Sequence, residues 1–114
     1  MILATNRSLA QVLSWLPQNV YDYRSKIIYQ EELAFHPVFQ GRYQVDVFSD
    51  KNWSSFISES VHRIGLKPVA YQSREYPAIS KGDVILLFGD ERRVVIVEIL
   101  EAIRKPAQGY FPQP

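Results

Sequence analysis

The chain has 114 residues, of which 46% are hydrophobic and 22% charged, a composition typical of one globular domain. Thirteen basic and twelve acidic side chains leave a net charge of +1, so any nucleic-acid surface would have to be a local patch. Cysteine is absent, which excludes disulfide scaffolds, thiolate zinc sites and cysteine nucleophiles. No apolar run approaches the roughly 18 residues of a membrane-spanning helix, and the first residues lack a signal-peptide pattern. We therefore expect a cytoplasmic protein that makes no membrane contact.

The sequence predicts one compact domain over residues 1–105, followed by a proline-rich tail over residues 106–114. Its first element is a short amphipathic helix, because Leu9, Val12, Leu13 and Leu16 share one helical face. Pro17 ends this pattern. A helix of about three turns is expected to dock on a sheet rather than to stand alone.

Two strands are predicted before the second helix. Residues 18–24 are interpreted as a connection, and apolar residues alternate from Lys26 to Phe35, where His36-Pro37 ends the strand. A second alternating segment runs from Arg42 to Phe48.

A second helix is predicted to begin after Ser49 or Asp50, which are good N-cap residues, and to end at Gly65. Its apolar stripe consists of Trp53, Phe56, Ile57, Val61 and Ile64. A short strand from Val69 to Ser73 follows, so this part of the chain is predicted to form a βαβ unit. Residues 74–81 are expected to be an exposed loop.

The segment KGDVILLFGDERRVVIVEIL, residues 81–100, predicts a β-hairpin whose strands are buried on both faces. Val84 to Phe88 and Val94 to Val97 are continuous apolar runs, whereas a strand with one wet face alternates. Two helices cover one face, so the other face needs a further cover. Three possibilities remain open for this cover: the N-terminal strand curling over into a small barrel, the C-terminal tail, or a second protomer.

The predicted fold class is therefore α+β, with a curved, mostly antiparallel, barrel-like sheet of five strands packed by two helices. The predicted order is α-β-β-α-β-β-β. The predicted core consists of Trp15, Phe48, Trp53, Phe56, Ile57, Val61, Ile64, Leu86, Phe88, Val95 and Val97.

Catalytic patterns are incomplete in this sequence. Asp83 and Glu98 resemble, in order and spacing, the acidic pair of one large superfamily of metal-dependent nucleases. Leu100 stands where that motif has its lysine. His36 and His62 show no metal-ligand spacing, and neither a nucleophile motif nor a glycine-rich phosphate loop is present. The sequence predicts no catalytic residue, no metal and no cofactor.

Tyrosine and arginine, by contrast, lie close together at several places in the chain. Both residue types are enriched in protein interfaces, and both can also contact unpaired bases and phosphates. We expect a non-enzymatic interaction module that contacts a protein partner or a second copy of itself through a sheet face or edge. Single-strand nucleic-acid binding is the alternative, and a nuclease that uses Asp83 and Glu98 is the second alternative. The predicted binding residues are Tyr23, Arg42, Tyr71, Arg74, Tyr76, Arg92 and Arg93.

Overall fold

A computed structural model describes residues 1–39, 41–89 and 92–105, which form one small α+β domain. No helix in these ranges is long and apolar enough to span a membrane. The predicted proline-rich tail, residues 106–114, lies outside the described residues. The strands are β1 (Ile2–Thr5), β2 (Asn19–Tyr29), β3 (Gln44–Val47), β4 (Lys67–Ala70), β5 (Val84–Phe88) and β6 (Arg93–Arg104). The helices are α1 (Leu9–Leu13) and α2 (Lys51–Arg63), with 3-10 helices at Gln30–Phe35 and Pro37–Phe39.

The six strands form one open, mixed sheet in the order β2-β6-β5-β1-β3-β4. The β1–β3, β1–β5 and β3–β4 pairs are parallel, whereas β2–β6 and β5–β6 are antiparallel. The prediction of five mostly antiparallel strands in a barrel-like sheet was therefore wrong. The difference arises at β1, which lies between β3 and β5 and makes the centre of the sheet parallel.

Strand β1 is the element that the sequence prediction missed. Its four residues are all buried, and Ile2 pairs with Val84 while Leu3 pairs with Asp46. A short strand buried on both faces in a parallel sheet shows no alternation. The apolar residues of β1 therefore do not show the alternation that would have predicted a strand.

The second strand also lies earlier in the chain than predicted. Residues 19–24, interpreted as part of a connection, belong to the 11-residue strand β2. The predicted strand from Lys26 to Phe35 ends at Tyr29, where a 3-10 helix begins and buries Leu33. Strand β2 lies at the edge of the sheet, where polar residues are tolerated on both faces.

The β3–α2–β4 segment confirms the predicted βαβ unit, since β3 and β4 are parallel neighbours. Asp50 caps α2 by accepting a hydrogen bond from the backbone N–H of Trp53 at 3.2 Å. At the other end, Gly65 has a φ of +87°, a conformation that costs glycine little because it has no Cβ. The backbone N–H groups of Gly65 and Leu66 donate to His62 and Val61, so α2 ends in a Schellman motif.

The hairpin is confirmed, because β5 and β6 pair antiparallel from Val84–Glu98 to Phe88–Val94. Strand β5 and residues 94–97 of β6 are buried or half-buried on both faces, as predicted, whereas β6 is more exposed from Leu100 onward. One face of the sheet is covered by α2 and the two 3-10 helices. The other is covered by α1, through Val12, and by Ile79 of the loop after β4. The sheet is thus sandwiched between two layers and does not close into a barrel.

Most of the predicted core residues pack as expected. Ile57, Val61, Leu86, Phe88 and Val97 are buried. Trp15, Phe48, Trp53, Ile64 and Val95 are partly buried against the two clusters. The assignment of Phe56 to the core was wrong, because its side chain is 41% exposed while Ser60 of the same helix is buried. The side of α2 that faces the sheet therefore passes through Ser60 rather than Phe56.

Candidate functional site

The outer edge of β2 is the longest open strand edge that the structure describes. This strand has 11 residues and pairs with β6 along its whole length. Within residues 1–39, 41–89 and 92–105, no strand pairs with its other side, because β2 is the first strand of the sheet. An open edge presents unpaired N–H and C=O groups that another strand can bind.

Two backbone hydrogen bonds identify the groups that point outward. Gln30 N–H donates to the carbonyl of Arg92 at 2.8 Å, and the N–H of Lys105 donates to the carbonyl of Gln18 at the other end of the strand. Residues of an antiparallel strand alternate between bonding one neighbour and facing the opposite direction. The even-numbered residues of β2 therefore bond to β6. The outward backbone groups belong to Asn19, Tyr21, Tyr23, Ser25, Ile27 and Tyr29. The N–H groups of the two end residues are already used, since Asn19 donates to the carbonyl of Leu16 at 3.0 Å and Tyr29 to Glu32 Oε2 at 3.2 Å.

The odd-numbered residues also form the apolar face of this edge. Tyr23, Ile27 and Tyr29 are 40%, 63% and 50% exposed. They lie on the α1 side of the sheet, because Tyr21 of the same face packs against the cluster that contains Val12. Helix α1 has only five residues and leaves these side chains uncovered. Strand β2 thus combines an open backbone edge with an exposed apolar stripe.

The opposite face of β2 is charged. Asp22, Arg24 and Lys26 follow one another at alternate positions on it. Arg24 Nε donates to Glu98 Oε2 at 2.7 Å, and Nη2 donates to Oε1 at 3.3 Å. These hydrogen bonds hold the pKa of Glu98 below its ordinary value, although partial burial opposes the shift.

The predicted tyrosine and arginine residues do not form one surface. Tyr23 lies at the middle of the β2 edge. Arg92 and Arg93 lie at its end, where the Arg93 guanidinium stands 5.7 Å from the ring centre of Tyr29. Arg42 lies elsewhere, near the start of β3, where it donates to the carbonyl of Gly82 at 3.3 Å.

Tyr71, Arg74 and Tyr76 belong to the loop that follows β4. Tyr76 stacks on Trp15 with ring centres 5.2 Å apart and planes 6° from parallel. Phe48 contacts Trp15, Tyr71 and Tyr76 through edge-to-face pairs. The two predicted tyrosines are therefore brought together by two aromatic residues that had been assigned to the core. A shallow cavity of about 340 Å³ beside the stack is lined by Arg7, Gln11, Ser14, Trp15 and Tyr76.

The two carboxylates of the nuclease hypothesis line one cavity of about 410 Å³, together with Arg42. Each carboxylate already has a cationic partner. Asp83 accepts from the amino group of Met1 at 2.9 Å and from the N–H of Ser80 at 2.8 Å, while Glu98 binds Arg24. In the part of the chain that the structure describes, no cluster of three or more His, Cys, Asp or Glu residues could hold a metal ion.

Several residues of the β2 edge were not among the predicted binding residues. Asp22, Lys26, Ile27 and Tyr29 flank Tyr23 on the same strand. The sequence does contain a signal for them, since VYDYR at residues 20–24 has the β-branched and aromatic residues that strands favour. Their place on an open edge depends on the strand order of the whole sheet, which a local pattern does not show.

Comparison of the chain with protein-family models, with curated proteins and with solved structures finds no match.

Proposed function

We propose that this protein is a non-enzymatic interaction module that binds a partner strand along the outer edge of β2. In this mode of recognition, main-chain hydrogen bonds supply affinity and alternate side chains supply specificity. The observation that carries the proposal is the exposure of Tyr23, Ile27 and Tyr29 on the same residues that point their backbone groups outward.

The two edges of the sheet differ in a way that supports this assignment. Strand β4, at the far edge, has four residues and contains Pro68, which has no N–H to offer. Short length and proline are common protections of sheet edges against unwanted pairing. Strand β2 has 11 residues and no proline, so its edge lacks both protections.

Proline substitution at Ser25 tests the proposal. Its N–H points outward at the middle of the edge, so Ser25→Pro removes one donor from the open edge and leaves the β2–β6 hydrogen bonds in place. We would select ten-residue peptides from a random library on the immobilised full chain and measure their affinities. Peptides that bind the wild-type chain are expected to lose at least about tenfold in affinity for Ser25→Pro, because a hydrogen bond is lost and the proline ring blocks the edge.

Ser25→Ala is the matched control, since it removes the same hydroxyl but keeps the N–H. It should bind the selected peptides as the wild-type chain does. Equal affinity of the peptides for Ser25→Pro and Ser25→Ala would refute strand addition at this edge.

Single-strand nucleic-acid binding is a second candidate, favoured by one observation. Tyr76 is 62% exposed and stacks on Trp15 beside the cavity that Arg7 lines. Aromatic rings next to arginine can bind bases and phosphates. A thymidine oligonucleotide should then bind in a salt-dependent manner and bind more weakly to Tyr76→Ala. Absence of binding at low salt would eliminate this candidate.

A further inference from the structure

We infer that the strand that fills the β2 edge is β2 of a second copy of this chain, running antiparallel, with Arg24 at the two-fold axis. This inference rests on the proposed function, since it names the partner of the same edge. A symmetric dimer uses the same patch of both subunits, so the patch must be complementary to itself. The backbone, the charges and the apolar side chains of β2 each meet this requirement.

The backbone requirement concerns which residues face each other. A two-fold axis at Arg24 places Asn19 opposite Tyr29, Tyr21 opposite Ile27, and Tyr23 opposite Ser25 of the second copy. The two inner pairs can exchange both of their main-chain hydrogen bonds. In the outer pair, the N–H of Asn19 already donates to the carbonyl of Leu16 and that of Tyr29 to Glu32 Oε2. The pairing is centred on the strand, because Arg24 is the midpoint of Asn19–Tyr29.

The charges of the opposite face are complementary about the same axis. Asp22 of one copy lies opposite Lys26 of the other, and the symmetry generates this pair twice. Neither side chain makes a hydrogen bond or an ion pair with the other described residues of its own chain. Asp22 instead lies opposite Glu101 on β6, whose like charge repels it, although Glu101 also forms an exposed ion pair with Lys81 at 3.4 Å. A lysine from the second copy would relieve this repulsion.

The apolar stripe also becomes continuous across the axis. Ile27, the most exposed residue of the stripe at 63%, would contact Tyr21 of the second copy. Tyr23 would lie beside Ser25 of the second copy, which leaves room for the tyrosine ring. Cross-strand pairs between aromatic and β-branched residues stabilise antiparallel sheets.

Neighbouring registers are less favourable. An axis at Ser25 places Arg24 opposite Lys26, a pair of like charges. An axis at Tyr23 places Asp22 opposite Arg24, whose guanidinium already binds Glu98. It also places Val20 opposite Lys26 and leaves the end of the strand unpaired. The axis at Arg24 brings the two Arg24 side chains together, but each one already binds its own Glu98.

Charge reversal tests both the partner and the register. Sedimentation of the full chain should show a dimer for the wild type. Asp22→Lys and Lys26→Asp should each raise the dimer dissociation constant by about tenfold or more, because two attractive pairs become repulsive. A mixture of the two single variants should form a heterodimer, since each Lys then meets an Asp. The chain that carries both substitutions should dimerise like the wild type.

The mixture also excludes loss of folding as an explanation, because an unfolded variant could not be rescued by its complement. A wild-type chain that sediments as a monomer up to its solubility limit would overturn the second-copy inference. A dimer that neither variant weakens would do the same. The peptide experiment with Ser25→Pro is separate, so the edge could still be shown to bind another protein's strand. If the chain forms no such dimer and the selected peptides also bind Ser25→Pro and Ser25→Ala equally, the proposed function is refuted as well.

Discussion

Arg24 and Glu98 lie directly opposite each other on β2 and β6, with Nε and Oε2 2.7 Å apart. The pKa of Glu98 is lowered in the folded state, mainly by the hydrogen bond from Arg24. A lowered pKa means that the pair stabilises the fold at pH values above the ordinary glutamate pKa of about 4.3. That contribution is lost as the pH falls through the lowered value. Glu98→Gln should therefore be less stable than the wild type at neutral pH, and the difference should vanish in acid.

Urea denaturation of both chains between neutral pH and about pH 3 measures this difference. The side chain of Arg24 is 67% exposed, so salt should also reduce the effect. A gap between wild type and Glu98→Gln that widens as the pH falls would contradict the assignment. The same variant tests the nuclease hypothesis, which requires magnesium-dependent cleavage by the wild type that is absent in Glu98→Gln.

Asp22→Asn should stabilise the isolated chain and weaken the dimer. In the single chain it removes a carboxylate that lies opposite Glu101, which is also paired with Lys81 at 3.4 Å. Because Lys81 weakens the repulsion, the gain in the free energy of unfolding should lie at the low end of about 0.2–1 kcal/mol. In the dimer it removes the partner of Lys26. The free energy of unfolding, measured by denaturation in dilute solution, should therefore rise. The affinity of the dimer, measured by sedimentation at high concentration, should fall. A variant that is less stable in dilute solution would show that Asp22 has a favourable partner within its own chain.

Ile57→Ala and Phe56→Ala compare two adjacent positions of α2. Ile57 is fully buried, and its truncation leaves a cavity that should cost about 2–5 kcal/mol in the free energy of unfolding. Phe56 is 41% exposed and should cost much less. Denaturant unfolding of the two variants measures which substitution causes the larger loss in the free energy of unfolding. A larger loss for Phe56→Ala would mean that α2 is rotated relative to the described packing.

The elements that could be predicted from the sequence are those with strong local patterns. Helix α2 has an N-cap at Asp50, an apolar stripe and a glycine at its end, and all three are local features. The β5–β6 hairpin follows in the same way from two apolar runs joined by a charged turn. Strand β1 could not be predicted, because its partners lie about 40 and 80 residues away in the chain. Its four residues are buried on both faces and therefore show no alternating pattern. That one strand changed a mostly antiparallel sheet into a mixed one.

The candidate site was predictable only in part. The sequence predicted Tyr23 as a binding residue and a sheet face or edge as the binding surface, and both remain predictions; it did not indicate which strand lies at the edge. The strand was predicted at residues 26–35 and lies at Asn19–Tyr29, which moves Asp22 from a loop to the edge. The 3-10 helix at Gln30–Phe35 explains the shift, since Leu33 is buried there without any strand pairing.

Tyr76→Ala should expose Trp15 and lower the stability of the aromatic cluster. Tyr76 stacks on Trp15 and also contacts Phe48, and such aromatic pairs contribute about 0.5–1.5 kcal/mol beyond area burial. In a Trp53→Phe background the fluorescence reports Trp15 alone, and its emission should move to longer wavelength in the variant. Tyr43→Ala is the matched control, because Tyr43 is similarly exposed and makes no ring contact with any of the described residues. Equal emission spectra and equal unfolding free energies for the Tyr76 and Tyr43 variants would show that the stack is not formed in solution.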